Sequence, residues 1–137
     1  MQFLGLEQAI KLIIEKDTRY RPDAYFFLRE ALEFTIKRRS KNQKTAPKTD
    51  VTGVNLVEGF RDLALQEFGP MAITVLEYWG IQSSADIGEI VFNLIEIGVL
   101  GKTKNDTRAS FANLLDFHKS FVAPFEPAVP LLSEMTQ

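Results

Sequence analysis

A chain of 137 residues with 45% hydrophobic and 25% charged residues has the composition of one ordinary globular domain. At that length it buries roughly two-thirds of its unfolded surface. Sixteen basic and eighteen acidic residues nearly balance, so charge matters through its distribution. The absence of cysteine excludes disulfides, thiolate nucleophiles and cysteine-ligated metals, and no apolar run approaches the roughly 18 residues that span a bilayer. Met1–Ile14 lacks the basic start, continuous apolar run and small-residue cleavage site of a signal peptide, so a soluble cytoplasmic protein is expected.

Taken in chain order, the first helix is predicted over about Gly5–Lys16, with Leu6, Ala9, Ile10, Ile13 and Ile14 on one face. Asp17–Arg21 reads as a polar connector. Pro22 suits the first position of a second helix, where its missing N–H costs nothing. Asp23 at its start and Lys37, Arg38 and Arg39 at its end complement the helix dipole. Between them, apolar residues from Ala24 to Ile36 cover more than half the circumference, which predicts a central helix packed on two sides. Ser40–Thr52 is polar and lysine-rich, and is predicted to be the one flexible linker.

Thr52 is the expected N-cap of a third helix over about Gly53–Phe68. The Gly69-Pro70 pair ends it and starts a fourth helix, Pro70–Trp79, which Gly80 stops. Ser83 or Ser84 should cap a fifth, ending at Gly98, with Ile87, Ile90, Val91, Leu94 and Ile95 buried. Beyond Gly98, Val99–Thr103, a turn at Lys104–Thr107 and Ala109–Phe117 read as a β-hairpin that must lie against the helices. A short helix over Leu115–Val122 competes with its second strand. Pro124–Gln137 reads as an extended tail. The resulting expectation is a mainly α single domain of five principal helices with a C-terminal β-hairpin. It comprises a helical half (1–39), a basic linker (40–52), a helix-turn-helix-like half with hairpin (53–123) and a tail (124–137).

Chemistry is sparse. The lone histidine, His118, stands between Asp116 and Ser120, but residues two apart on a strand do not line up as nucleophile, base and orienter. No Gly-x-Ser-x-Gly elbow, phosphate-binding glycine loop or calcium-loop spacing occurs. One histidine without cysteine cannot assemble an ordinary zinc site. Glu30/Glu33 and Glu58/Asp62 are carboxylate pairs of the kind exposed helices carry routinely. Neither catalytic residues, a metal nor a cofactor is expected.

Two basic groups are candidate binding residues. Lys37, Arg38, Arg39, Lys41, Lys44 and Lys48 put six of the sixteen basic residues in twelve positions without an acid, leaving ten basic against eighteen acidic residues elsewhere. Such a cluster can grip an anionic partner, although a helix C-terminus followed by a solvated loop attracts cations anyway. Lys102, Lys104 and Arg108 would sit on the wing of a winged-helix-like second half. The helix that would enter a DNA groove, Ser84–Ile97, carries Asp86, Glu89 and Glu96 and no cation, which disfavours DNA. Eleven phenylalanines, three tyrosines and Trp79 are mostly core; any left exposed would mark a partner surface.

Three phrases together carry a resemblance. They are Arg19-Tyr20-Arg21-Pro22-Asp23-Ala24-Tyr25 running into Glu30-Ala31-Leu32, Gln66–Ala72 continuing through Tyr78-Trp79-Gly80-Ile81, and Gly88–Leu94. In this order they resemble a small bacterial family of planctomycetes and verrucomicrobia, over about Leu6–Phe125. The resemblance implies a bacterial, cytoplasmic single-domain protein and transfers no functional residue. The function expected is a non-catalytic protein-interaction module, binding a partner or itself. The alternatives are a winged-helix-like nucleic-acid-associated protein using the 37–48 cluster and the hairpin, and an enzyme with an unpatterned carboxylate or tyrosine site.

Overall fold

Pro22 opens the helix around which the others pack. In a computed structural model, which describes residues 5–42, 51–101 and 106–127, five α-helices occur in chain order. They are α1 (Leu6–Lys16), α2 (Pro22–Asn42), α3 (Gly53–Phe68), α4 (Ala72–Tyr78) and α5 (Ser84–Glu96). Helix α2 touches α1, α3 and α5 and buries Ala24, Tyr25, Phe27, Leu28, Ala31, Leu32 and Thr35, as its wide apolar face predicts. It runs three residues into the expected linker, whose residues 43–50 lie outside the described ones.

The α2–α3 crossing is close because Gly59 faces Thr35. A β-carbon at Gly59 would overlap the Thr35 Oγ1, which itself donates to the Ala31 carbonyl at 2.7 Å. That local bond satisfies a polar group in a site only 1% exposed. Around this crossing Phe27 meets Phe60 edge-on at 5.0 Å, and Phe68 and Trp79 at 5.5 and 5.4 Å.

Start and stop signals place the remaining helices. Thr52 caps α3 reciprocally with Asn55. Gly69 ends α3, and a single 3-10 turn over Gly69–Met71 leads into α4. Gly80 and Gly98, at φ 94° and 83°, terminate α4 and α5 in the same way. Each donates to the carbonyl three residues back, while the next amide, Ile81 or Val99, reaches the carbonyl five back, Leu76 or Leu94. This is the Schellman cap. Ser83 supplies the N-cap backbone of α5 without a side-chain cap bond; Asp86 reaches back instead, its Oδ2 accepting from the Gln82 amide at 2.9 Å.

The predicted β-hairpin is not present, and with it the winged-helix resemblance falls: there is no strand among the described residues. The Val99 and Leu100 amides both donate to the Leu94 carbonyl, so the stretch expected to begin a strand caps α5. The expected second strand starts instead as a 3-10 turn, Arg108–Phe111, closed by a reciprocal Thr107–Ser110 cap. Phe111 is fully buried, worth about 2–3 kcal/mol, against Gly88 and Gly53, where β-carbons would come within 2.5 and 2.9 Å of it. Buried Ser84 secures this segment by donating to the Phe111 carbonyl (2.6 Å) and accepting from the Leu114 amide (3.1 Å). A π-helical turn over His118–Val122 then matches the competing helix rather than the strand. No helix among the described residues is long and apolar enough to cross a membrane.

Candidate functional site

The connector between α1 and α2 is more organised than its polar composition suggests. Asp17 ends α1, and its Oδ1 accepts from both the Arg19 amide (3.0 Å) and Nε (2.9 Å). Its Oδ2 accepts from Arg19 Nη2 at 2.7 Å and from Asn93 Nδ2, on α5, at 3.0 Å. The same Nδ2 donates to the Tyr25 hydroxyl at 3.1 Å, so Asn93 joins α5 to both α1 and α2. One residue beyond Arg19, the Tyr20 hydroxyl donates to Asp86 Oδ1 at 2.5 Å.

An ionic chain continues along α5. Arg19 Nη2 lies 3.8 Å from Glu89 Oε2, Arg108 bonds the same Glu89 oxygen, and Arg108 Nη2 reaches Glu96 Oε1 at 2.5 Å. Hydrogen bonds from Arg19 hold the Asp17 carboxyl well below the usual carboxylate range, outweighing burial, and Asn93 adds to the effect. Arg19 is held above its ordinary value by the same contact. Burial, and then the bond to Asp86, push the Tyr20 phenol far up; burial likewise raises Tyr25 against the opposing Asn93 bond. Burial alone would lower Arg108, but its contacts with Glu96 and Glu89 outweigh that and raise it. Each of these displacements moves the pKa further from neutral pH: Asp17 downward, and Tyr20, Tyr25, Arg19 and Arg108 upward.

Beside this network lies an open hollow of about 340 Å³. Leu12, Ile13 and Ile97 form the apolar part of its wall, and Asp17 and Asn93 link it to the network. Glu15, Lys16 and Glu96 complete the charged part. Among the described residues, no group of three or more histidines or carboxylates is arranged to hold a metal ion.

The 37–48 cluster is divided by the fold. Arg38 Nη1 pairs with Asp62 Oδ2 at 2.5 Å, and Arg39 Nη1 donates to Asn55 Oδ1 at 3.0 Å, so both serve the α2–α3 contact. Lys37 and Lys41 remain exposed, and Lys44 and Lys48 lie outside the described residues. Of the expected wing, Arg108 faces the α5 carboxylates and Lys102 and Lys104 lie outside the described residues. Asp116 accepts from the Lys119 amide at 3.0 Å, while His118 Nε2 lies 3.2 Å from Glu126 Oε1.

Sequence reasoning missed the Asp17–Asn93–Tyr25 junction. Its signal was present: Asn93 interrupts Ile90-Val91-Phe92 and Leu94-Ile95, and a polar residue inside such a run needs a buried partner.

A further exposed feature involves α4. The Arg21 guanidinium lies 4.0 Å from the Tyr78 ring centroid, and its Nε donates to the Tyr78 carbonyl at 3.1 Å. Tyr78 is 64% exposed, and Met71, seven residues earlier, is 57% exposed. Met71 belongs to the 3-10 turn that leads into α4, and Tyr78 is the last residue of that helix.

Comparison of the chain with protein-family models, with curated proteins and with solved structures finds no match.

Proposed function

We propose that this protein is a non-catalytic interaction module that binds a partner protein through Arg21, Tyr78 and Met71. The observation that carries the reading is the pre-stacked Arg21–Tyr78 pair. Arginine, tyrosine and methionine are enriched where interfaces concentrate their energy, and a side chain already held in place loses little entropy on binding. Nε is used internally, and the two Nη atoms, without a hydrogen-bond partner among the described residues, can fork onto a carboxylate. The partner segment is therefore an apolar stretch carrying an acidic side chain. Bacterial origin, cytoplasmic location and membership of the resembling family belong to the same proposal.

The fixed proton states of Asp17, Tyr20, Tyr25, Arg19 and Arg108 support the non-catalytic part. A general acid or base works best with a pKa near the working pH, and these groups are displaced in the opposite sense. The hollow is the observation on the side of the enzyme reading, since it gathers charged side chains at a solvent-reachable wall.

The test is capture of a partner by the full chain, compared with Tyr78→Ala, Arg21→Ala and the remote control Lys119→Ala. A defined partner retained by the control and lost by the first two supports the proposal. Equal capture by all four proteins, or concentration-dependent dimerisation abolished by Tyr78→Ala, overturns the assignment of a partner segment to this surface.

A further inference from the structure

The outer face of α2 carries a charge pattern that the proposed interaction surface does not use, and the two share no residue. Glu30, Glu33, Lys37 and Lys41 follow one another at three- and four-residue steps, so they form one stripe along the helix. All four are exposed, and half-buried Phe34 lies within the stripe, between Glu30 and Lys37. Phe26, also half-buried, lies one turn before Glu30. The two arginines beside the stripe are already engaged. Arg29 stands over the Phe26 ring at 5.7 Å, and Arg38 stands over Phe34 at 5.2 Å while pairing with Asp62.

The four charges are segregated rather than alternated. Glu30 and Glu33 are like-charged neighbours on the helix surface, as are Lys37 and Lys41, and such pairs repel mildly. None of the four forms an ion pair among the described residues. The helix dipole does not account for the pattern. Its influence falls off within the first and last turns, and Glu30, Glu33 and Lys37 lie outside both.

Turned end for end, the stripe is its own complement. In an antiparallel second copy, Glu30 faces the partner's Lys41 and Glu33 faces the partner's Lys37. A twofold axis beside Phe34 makes all four such pairs at once and brings the two Phe34 rings together. A parallel copy sets like charge on like charge. We infer that this face of α2 is a self-association site, where two copies of the chain pair antiparallel through these four residues around Phe34. One helix face buries less than the roughly 1,200–2,000 Å² of a standard stable interface, so the dimer is weak and sensitive to salt.

Sedimentation equilibrium of the full chain at low salt, from micromolar to millimolar protein, tests this. The expected result is a monomer–dimer equilibrium with a dissociation constant on the order of 100 μM that weakens as salt is added. Reversing half of the stripe, in Glu30→Lys/Glu33→Lys or in Lys37→Glu/Lys41→Glu, makes every pair repulsive and should weaken the homodimer at least about tenfold. Mixing these two variants should restore pairing between them, and exchanging all four charges in one chain should restore the homodimer. The positions are exposed, and an unchanged thermal melt by circular dichroism shows that each variant is folded. Tyr78→Ala should dimerise like the parent chain, which separates this inference from the proposed partner surface. No dimer at millimolar protein, an unchanged constant in either reversed variant, no pairing in the mixture, or loss of the dimer in Tyr78→Ala overturns the inference.

Discussion

The carbonyl oxygen of Arg19 occupies the space that a β-carbon on Gly80 would need. The Arg21 amide donates to the Trp79 carbonyl at 3.1 Å in the same place, so the α1–α2 connector lies directly across the end of α4. The obstruction is backbone, which cannot turn aside as a side chain can.

Gly80→Ala should therefore cost about 2–4 kcal/mol, combining left-handed strain with displacement of the connector. Gly98→Ala has a similar positive φ but nothing within 4 Å of the added carbon, so strain alone should cost about 1 kcal/mol. Urea unfolding of both variants measures the difference. Equal losses would show that the Arg19 contact carries no weight.

Gly88→Ala reverses an ordinary rule. Alanine usually stabilises a helix interior by up to about 1 kcal/mol relative to glycine. Here the new carbon would stand 2.5 Å from the Phe111 Cβ, and the variant should lose about 1–3 kcal/mol instead. Ser84→Ala, which removes the two bonds holding the same segment, should cost about 1–3 kcal/mol. In a double-mutant cycle the two losses should combine less than additively, since either one frees the Phe111 segment.

The pH dependence arises from Asp17 and Tyr20. Asp17 is more acidic folded than unfolded, so below about pH 4 the unfolded chain binds more protons. Its contribution to stability is complete above the unfolded pKa and is lost as pH falls towards the folded value. Tyr20 is displaced upward, so its contribution is complete below about pH 10 and is lost above it. Asp17→Asn should flatten the acid limb of a stability–pH curve, and Tyr20→Phe the alkaline limb. Denaturant midpoints recorded across both limbs decide this; unchanged slopes would count against the network.

Adjacent residues at the end of α4 should behave oppositely. Trp79 packs against Phe27 and Phe68 at 5.4 and 5.7 Å, so Trp79→Ala should cost about 3–4 kcal/mol. Tyr78 is mostly exposed, and its loss should change stability by no more than about 0.5 kcal/mol. A thermal shift in Tyr78→Ala as large as that in Trp79→Ala would mean that Tyr78 is a structural residue.

The helix starts and stops were legible in the chain because each is a local matter. Pro22, Thr52, Gly69-Pro70, Gly80 and Gly98 constrain the backbone through neighbours a few positions away, and each acts where its type predicts. The central place of α2 was legible too, since a wide apolar face requires two partners. The conformation beyond Gly98 depended on distant groups. Val99, Leu100 and the 108–117 segment have strand-like composition, but the Leu94 carbonyl, the Ser84 hydroxyl and the space beside Gly88 take up their polar groups and Phe111. Likewise, Arg38 looked like part of a free basic patch until the fold set Asp62 beside it. Local signals determine where the backbone turns. Which partner a polar or aromatic group finds was decided only when elements far apart in the chain came together.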